Sequence, residues 1–267
     1  MTDNVFADII TQLTEYKIDK ICPYLENEPL ADPQIFERIR HIRKSLPNSL
    51  IEVSTNALAL SEPNQLRLIE ELADGEHEIW ISFHGIDKYT YEGVMGLPFE
   101  KCLNNIAGLL KKAEELPLRI KIRGAGYGRH ASLKHPYSFS ANEFTQFWRD
   151  VFQQQNITKT HDVAFFTYHD RAGSISRNNI RMPEIVRPDL QNFQCSRIPG
   201  WLHFLYTGEL ILCCMDYQRE TVYGDIRESK LNDILSSENF RNLYAKVTGR
   251  QESPNDFICK RCISPGG

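Results

Sequence analysis

Helical and extended hydrophobic patterns alternate along the first two thirds of the chain. Val5, Ile9 and Leu13 recur at the spacing of one helical face, whereas the run from Ile18 to Cys22 predicts a short strand. Further strands are predicted at 50–53, 78–83, 118–122 and 163–168, and further helices begin at Pro33, at Pro63, near Leu103 and after Ser140. Strict alternation predicts a parallel α/β sheet, either doubly wound or a (β/α) barrel, with its chemistry at the carboxyl ends of the strands.

Several helix starts carry capping residues. Asp3 and Asp32 are the expected N-caps of the first two helices, and Pro33 would take the first helical position of the second. The run Ser140-Ala-Asn-Glu143 is a capping box before a later helix. These signals predict where the connecting loops end.

The order of the elements and the distribution of prolines predict two domains. Because the series opens with a helix, the first strand of such a barrel is missing, and we expect a further segment in front of Met1. After about Asn178 the alternation stops, and prolines and clustered cysteines take its place. We therefore expect a barrel over residues 1–178 and a small Cys-rich domain over residues 179–267.

Charge and hydropathy exclude several classes of protein. Hydrophobic residues make up 41% of the chain, enough for a sizeable core, which argues against disorder. Lys and Arg number 31 against 35 Asp and Glu, so nothing favours nucleic acid as a partner. The chain has neither a basic leader at Met1 nor a long apolar run, so we expect no membrane association and a cytoplasmic location.

Cysteines of the last third carry the strongest chemical signal. Four of them form a C-x17-C pair and a C-x2-C pair, with Cys214 beside the second member: Cys195, Cys213, Cys259 and Cys262. A C-x2-C turn directs two thiolates at one centre, and a second pair completes four-coordination, for which zinc and an iron–sulfur cluster are both compatible. Cys22 and Cys102 stand among apolar residues and are predicted to be core thiols.

The spacing in this segment resembles the SPASM and twitch domains of radical S-adenosylmethionine (radical SAM) enzymes. Cys195, twelve residues, Gly208, four residues and Cys213 match their C-x(9–15)-G-x4-C opening. Other matches are Thr207 to Cys213 with their turn and strand, Gly224-Asp225-Ile226 with their Gly-Asn-Ile signature, and Leu231 to Leu243 with the helix before their C-x2-C pair.

Short motifs upstream resemble the same superfamily. Asn27-Glu28-Pro29 stands where the superfamily carries Gly-Glu-Pro, and Ser54-Thr55-Asn56-Ala57 where it carries Thr-Asn-Gly. Ser82 to Gly85 occupies the fourth-strand position, and Tyr91 to Met95 with Phe99-Glu100 matches the segment entering the next helix. The resemblance therefore covers nearly the whole chain.

The resemblance implies a fold, cofactors and partners. The fold is a partial (β/α)6 TIM-like barrel without its first strand, which binds S-adenosylmethionine, plus a small Cys-rich domain. Glu28 would lie near the amino group of the cofactor, and Asn56 and Ser82 near its ribose or carboxylate. The implied cofactor-binding residues are Asn27, Glu28, Pro29, Thr55, Asn56 and Ser82, and the implied ligands of an auxiliary 4Fe–4S cluster are Cys195, Cys213, Cys259 and Cys262. The implied partners are a peptide or small polar substrate and an electron donor such as flavodoxin or ferredoxin.

One departure from the superfamily is large. Its members hold the reducing 4Fe–4S cluster on a C-x3-C-x2-C loop, and none of the seven cysteines here forms that triplet. We therefore expect an N-terminally truncated chain, in which a second 4Fe–4S cluster belongs only to the intact form. With four suitable cysteines the last domain resembles the twitch variety, which has a single auxiliary cluster.

The resemblance implies that the intact protein is an enzyme that generates a 5'-deoxyadenosyl radical, which abstracts a hydrogen from the substrate. Two other functions stay open at this point. One is a non-catalytic zinc or iron–sulfur module on a degenerate barrel, which the missing triplet favours. The other is an ordinary (β/α) barrel lyase or aldolase that uses His84, Arg123 or His169 at the strand ends. A metal site formed by His84, His130 and His169 is the less favoured interpretation, because histidines at strand ends are more often satisfied polar residues.

Overall fold

The computed structural model describes residues 1–126, 137–167, 172, 187–195, 197–198 and 200–262. Predictions on His130, Tyr168, His169, the boundary after Asn178, Pro183 and Pro199 lie outside the described residues. The chain divides into two compact units, one of Ile18–Tyr168 and one that joins Met1–Lys17 to His169–Gly267. The boundary between a barrel domain at residues 1–178 and a Cys-rich domain at residues 179–267 stays a prediction.

The first unit is built on a parallel sheet of five strands. The strands are β1 (Lys20–Ile21), β2 (Leu50–Thr55), β3 (Glu78–Ser82), β4 (Arg119–Gly126) and β5 (Asp162–Thr167). Each strand pairs with the next one along the chain, in the order β1-β2-β3-β4-β5. A doubly wound sheet reverses its strand order at a switch point, and this sheet does not. The predicted α/β fold with a partial barrel is confirmed.

Helices connect the strands, with a short 3-10 turn at Pro29–Ala31 after β1. In chain order they are α1 (Asp3–Leu13), which belongs to the second unit, and α2 (Ile35–Ser45), α3 (Glu62–Leu72), α4 (Lys88–Met95), α5 (Phe99–Lys112) and α6 (Ala141–Gln154). The pattern did not separate α4 from α5. Helix α4 has a capping box from Asp87 and Thr90 and ends at Gly96, whose φ of 67° is the left-handed value that favours glycine.

Two predicted caps are wrong. Thr2, not Asp3, caps α1 by accepting a hydrogen bond from the Val5 amide at 3.4 Å. Helix α2 begins at Ile35, because Asp32 instead accepts from the Gln34 amide at 3.0 Å and pairs with Arg38. The capping box of α6 is confirmed: the Glu143 amide donates to the Ser140 hydroxyl at 3.2 Å.

The two faces of the parallel sheet differ in polarity. On one face, alternate residues of β2, β3 and β4 are apolar and buried: Ile51, Val53, Ile79, Ile81, Ile120 and Ile122. The helix side of the sheet is this apolar face, since a Cβ on Gly124 would lie 2.6 Å from the Phe144 ring of α6. The opposite face carries Lys20, Glu52, Glu78 and Lys121, with Lys20 bonded to Glu52 at 2.7 Å and Lys121 to Glu78 at 2.8 Å. Strands of this sheet therefore alternate, unlike the continuous apolar strands of most parallel sheets.

The second unit contains a three-stranded antiparallel sheet of β6 (His203–Phe204), β7 (Glu209–Ile211) and β8 (Val222–Asp225). Three helices follow, α7 (Leu231–Ser236), α8 (Glu238–Val247) and α9 (Ile258–Arg261). The single helix expected over 231–243 is wrong, because Ser237 ends α7 and caps α8 by accepting from the Phe240 amide at 3.1 Å.

Helix α1 is bonded to this second unit. The side-chain oxygen of Gln12 accepts a hydrogen bond from the backbone amide of Leu231, the first residue of α7, at 2.6 Å. Lys230, at the N-cap of α7, provides no side-chain cap of its own. Gln12 therefore satisfies a helix-end donor from more than two hundred residues away.

Across the described ranges, no helix has both the length and the apolar character needed to cross a membrane.

Candidate functional site

Glu28 is the centre of a hydrogen-bond group after strand β1. Its carboxylate accepts from the Thr55 hydroxyl at 2.7 Å, from the Asn56 amide at 2.8 Å and from the Leu30 amide at 3.2 Å. The group ties the loop after β1 to the carboxyl end of β2. Three of the six predicted cofactor-binding residues, Glu28, Thr55 and Asn56, are thereby in direct contact.

The other three predicted cofactor-binding residues have different roles in the structure. Asn27 accepts from the Leu25 amide at 3.3 Å and shapes the same loop. Pro29 is buried and opens the 3-10 turn. Ser82 is the last residue of β3 and pairs in register with Arg123 of β4. All six residues follow or end the first three strands, so they lie at the carboxyl edge of the sheet, as predicted.

Two polar groups at this edge remain available to a ligand. Asn56 accepts from the Leu58 amide at 3.0 Å through its Oδ1 atom, which leaves the Nδ2 amide to point elsewhere. In the part of the chain that the structure describes, no group bonds that Nδ2 amide or the Ser82 hydroxyl. Thr55 differs, because its hydroxyl donates to Glu28 and accepts from the Ala57 amide at 3.0 Å. Thr55 therefore stabilises the backbone conformation at the end of β2.

Ala57 holds an unusual backbone conformation beside these residues. It is fully buried and has a φ of 64°, in the left-handed region where a Cβ is unfavourable. Ala57 stands at the position where the resemblance places glycine in the Thr-Asn-Gly motif. The left-handed backbone conformation at this position therefore explains why the motif carries glycine. This chain adopts that conformation with alanine.

Cys22 lies in polar surroundings, which corrects its prediction as a core thiol. Its Sγ atom is 3.7 Å from a carboxylate oxygen of Glu52, and the Tyr24 hydroxyl donates to the same oxygen. Burial and the Glu52 charge raise the pKa of Cys22 to about 12, so it is a protonated thiol at neutral pH. Cys102, in contrast, is fully buried in α5, and its prediction as a core residue is confirmed.

The four predicted cluster ligands lie together in the second unit. Cys259 is buried in a hydrophobic cluster against which Cys213 and Cys262 pack. Burial, and then the charges of Cys262, Cys213 and Cys195, raise the pKa of the Cys259 thiol. Cys213, Cys259 and Cys262 therefore lie in one packed cluster, and Cys195 lies within electrostatic range of Cys259.

Two glycines shape the sheet that carries Cys213. Gly208 has a φ of 107° in the turn between β6 and β7, a conformation that only glycine adopts readily. A Cβ on Gly224 of β8 would lie 2.4 Å from the side chain of Ile234 in α7. Both glycines belong to the motifs that carry the resemblance, and both have a steric reason to be glycine.

A buried aspartate holds the loop that follows Cys213. Asp216 is fully buried and accepts from the Thr221 amide at 2.8 Å and from the Glu220 amide at 2.9 Å. The Met215 amide donates to Cys213 Sγ at 3.4 Å. A backbone donor aimed at sulfur is an arrangement that stabilises a thiolate ligand.

Four cysteine thiols can bind either a zinc ion or an iron–sulfur cluster. Among the described residues, no three His, Cys, Asp or Glu side chains are grouped closely enough to hold a metal ion. A zinc ion binds each thiolate at about 2.3 Å, which draws four sulfur atoms into one tight tetrahedron. An iron–sulfur cluster places one thiolate on each iron and needs a wider arrangement. The four cysteine thiols supply the kind of donor set that such a cluster uses.

Comparison with protein families identifies the cysteine-rich segment. Residues 195–263 match the model of SPASM, described as an iron–sulfur cluster-binding domain. This segment is similar to the SPASM domain. The predicted iron–sulfur cofactor class is confirmed at the level of the SPASM domain. A comparison with curated proteins found no match.

Solved structures with the same fold extend over the rest of the chain. The structure of BtrN in complex with AdoMet and 2-DOIA matches with a TM-score of 0.56 at 16% identity, covering 99% of this chain and 80% of that one. Native anSMEcpe with bound AdoMet has a TM-score of 0.56 at 14% identity, with 91% and 73% covered. Streptococcus suis SuiB bound to its precursor peptide SuiA has a TM-score of 0.56 at 12% identity, with 96% and 69% covered. The chain therefore has the fold of radical SAM enzymes, which confirms the predicted resemblance.

An open cleft of about 800 Å³ lies away from the predicted cofactor-binding residues. Its lining includes Asp19, Leu50 and His77, which precede or begin β1, β2 and β3. It therefore opens at the amino ends of the strands, opposite the edge that carries Asn56 and Ser82.

Sequence reasoning missed two features of the functional regions. One is the polar face of the sheet, for which the alternation in Arg119-Ile-Lys-Ile-Arg123 was the available signal. The other is a pair of arginines beside the cluster cysteines, Arg187 and Arg197. Of these two arginines, only Arg197 had a signal in the sequence, because it follows Cys195 by two residues.

Proposed function

We propose that the chain is the S-adenosylmethionine-binding barrel and auxiliary-cluster domain of a radical SAM enzyme. The reaction would be hydrogen abstraction from a peptide or a small polar substrate by a 5'-deoxyadenosyl radical. The observation that carries the proposal is the grouping of four thiols around Cys259 inside a segment that matches SPASM. Among the solved structures of this fold, SuiB is bound to a precursor peptide and BtrN to 2-DOIA, which supports either substrate class.

The cysteines of the chain fit one cluster and not two. Cys195, Cys213, Cys259 and Cys262 would hold the auxiliary centre, which supplies one-electron redox chemistry when bound. The remaining three cysteines are Cys22, Cys102 and Cys214, which form no C-x3-C-x2-C triplet. These 267 residues therefore do not fit the reducing cluster, and no step of S-adenosylmethionine cleavage is assigned to them.

At the carboxyl edge of the sheet, the chain's own residues would orient the cofactor. Glu28 holds the loop and the end of β2 in one shape through its three hydrogen bonds. The Nδ2 amide of Asn56 and the hydroxyl of Ser82 would donate to the ribose or carboxylate. A few placed donors at an otherwise fixed edge are typical of small-molecule sites.

The rival function, a non-catalytic zinc module, differs in its metal. The match of residues 195–263 to an iron–sulfur cluster-binding domain supports the cluster. Anaerobic reconstitution of the full chain with iron and sulfide tests the difference. We expect about four irons and about four sulfides per chain, with the broad visible absorption of thiolate-bound iron. One colourless zinc per chain would favour the rival module.

Two matched double variants test the ligands. Cys259→Ala with Cys262→Ala removes half of the proposed ligands, and we expect bound iron to fall by more than about ten-fold. Cys22→Ala with Cys102→Ala removes the same number of thiols outside the SPASM domain and should leave the iron content unchanged. Equal iron in the two proteins, measured with the visible spectrum, would contradict the assignment.

A further inference from the structure

Two arginines of the second unit lie against the proposed cluster ligands. Arg197 is partly buried, and its Nη1 atom lies 3.9 Å from Cys213 Sγ. The guanidinium therefore lies against the sulfur atom of one proposed ligand.

Arg187 approaches the ligands from the C-x2-C side. Its backbone amide donates to the Lys260 carbonyl at 2.9 Å, and its Nη1 atom donates to the Cys262 carbonyl. Its guanidinium also stacks 4.7 Å from the centre of the Phe193 ring. The C-x2-C turn is thus held by a cation.

Neither arginine has a carboxylate partner among the described residues, whereas other arginines of the same unit do. Arg227 pairs with Asp225, and Arg261 pairs with Glu220 at 2.6 Å. No ion pair to Asp or Glu forms at Arg187 or Arg197 within those ranges. Partly buried cations need a counter-charge, and the nearby groups that become negative when they bind a cluster are the cysteine sulfurs.

Uncompensated positive charge has a defined effect on a redox centre. A 4Fe–4S cluster gains one negative charge when it takes up an electron. Fixed cations nearby stabilise the more negative reduced form more than the oxidised form. Hydrogen bonds to the ligand sulfurs act in the same direction, and the reduction potential rises.

We propose that Arg197, supported by Arg187, raises the reduction potential of the auxiliary cluster, so that its oxidised form takes up one electron readily. The inference rests on the proposed function, because it needs the cluster to be held by the four cysteines. Arg197 acts through Cys213 and is a positioning residue.

A reductive titration of the reconstituted full chain tests the proposal. Dithionite supplies the electrons, and electron paramagnetic resonance follows the reduced cluster. We expect Arg197→Gln to shift the midpoint to more negative potential. At the wild-type midpoint its ratio of reduced to oxidised cluster should fall by about ten-fold, which corresponds to about 59 mV for one electron.

Three controls define the outcome. Arg197→Lys keeps the charge and should keep the midpoint potential close to the wild-type value. Arg241→Gln removes an exposed arginine of α8 and should leave the midpoint potential unchanged.

An Arg197→Gln protein with full iron and an unchanged midpoint would overturn the proposal. If Arg197→Gln holds no iron, Arg187→Gln is titrated in its place, with the same expected direction. Should neither protein bind iron while Arg197→Lys does, the charge serves assembly and a role in the potential is refuted. If the reconstituted wild-type chain binds no cluster, the proposed function itself is contradicted.

Discussion

Individual residues explain why short motifs have the composition they do. Gly208 and Gly224 are required by a positive φ and by the close approach of Ile234. Glu28 is required by three donors that converge on one carboxylate. Ala57 is the exception, because it adopts a left-handed φ of 64° without being glycine. The backbone cost of such a residue is about 1 kcal/mol.

Ala57→Gly should therefore stabilise the first unit by about 0.5–1 kcal/mol, since it removes the Cβ conflict and only one buried methyl group. Urea unfolding gives the change in the free energy of unfolding. Ala107→Gly in the interior of α5 removes the same methyl group from an ordinary helical residue and should destabilise by about 1 kcal/mol. If both variants lose stability equally, the left-handed turn is not strained.

At the scale of secondary structure elements, the parallel sheet is stabilised differently on its two faces. Isoleucines pack on the helix side, while buried carboxylates and cations pair across strands on the other. Glu78 has several such partners on this face. It accepts from Lys121 at 2.8 Å and from Trp80 at 2.9 Å, and it lies 3.7 Å from Lys20. Burial alone would raise the pKa of Glu78, but these partners outweigh burial and lower it.

The pKa shift of Glu78 predicts a dependence of stability on pH. A carboxyl whose pKa is lower in the folded than in the unfolded chain stabilises the fold above its ordinary value of 4.5. That contribution is lost as the pH falls through the lower, folded pKa. Glu78→Gln should cost about 3 kcal/mol at neutral pH and should flatten the loss of stability below about pH 5.

The matched control for that experiment is Glu76→Gln, two residues earlier and exposed. It should change neither the stability nor its pH dependence by more than about 0.5 kcal/mol. Urea unfolding at several pH values measures both proteins. An unchanged pH profile in Glu78→Gln would show that the paired carboxyl does not control acid stability.

At the scale of the whole molecule, the chain is not divided in sequence order. Residues 1–17 join the C-terminal unit, although the sequence pattern places their helix at the start of the barrel series. The Gln12 bond to the Leu231 amide is one contact that holds α1 there. Helix periodicity correctly predicted that α1 exists, but periodicity carries no information about which distant element a helix contacts.

Gln12→Ala should destabilise the second unit by about 1 kcal/mol, because the first amide of α7 loses its partner. Hydrogen exchange should become faster at the amides of α7 and remain unchanged at those of β3. Thr11→Ala, an exposed neighbour on α1, is the control and should leave both unchanged. Unchanged exchange at α7 in Gln12→Ala would exclude a capping role for this side chain.

The covalent order of residues by itself determined the alternating elements, the cysteine spacing and the polar residues at three strand ends. These signals are local, because hydrophobic periodicity and turn chemistry act over a few residues. Only the tertiary structure decided that Glu28 bonds Thr55 and Asn56, that Arg187 and Arg197 contact Cys262 and Cys213, and that α1 joins the C-terminal unit. These contacts join residues distant in sequence, and packing in three dimensions selects such partners.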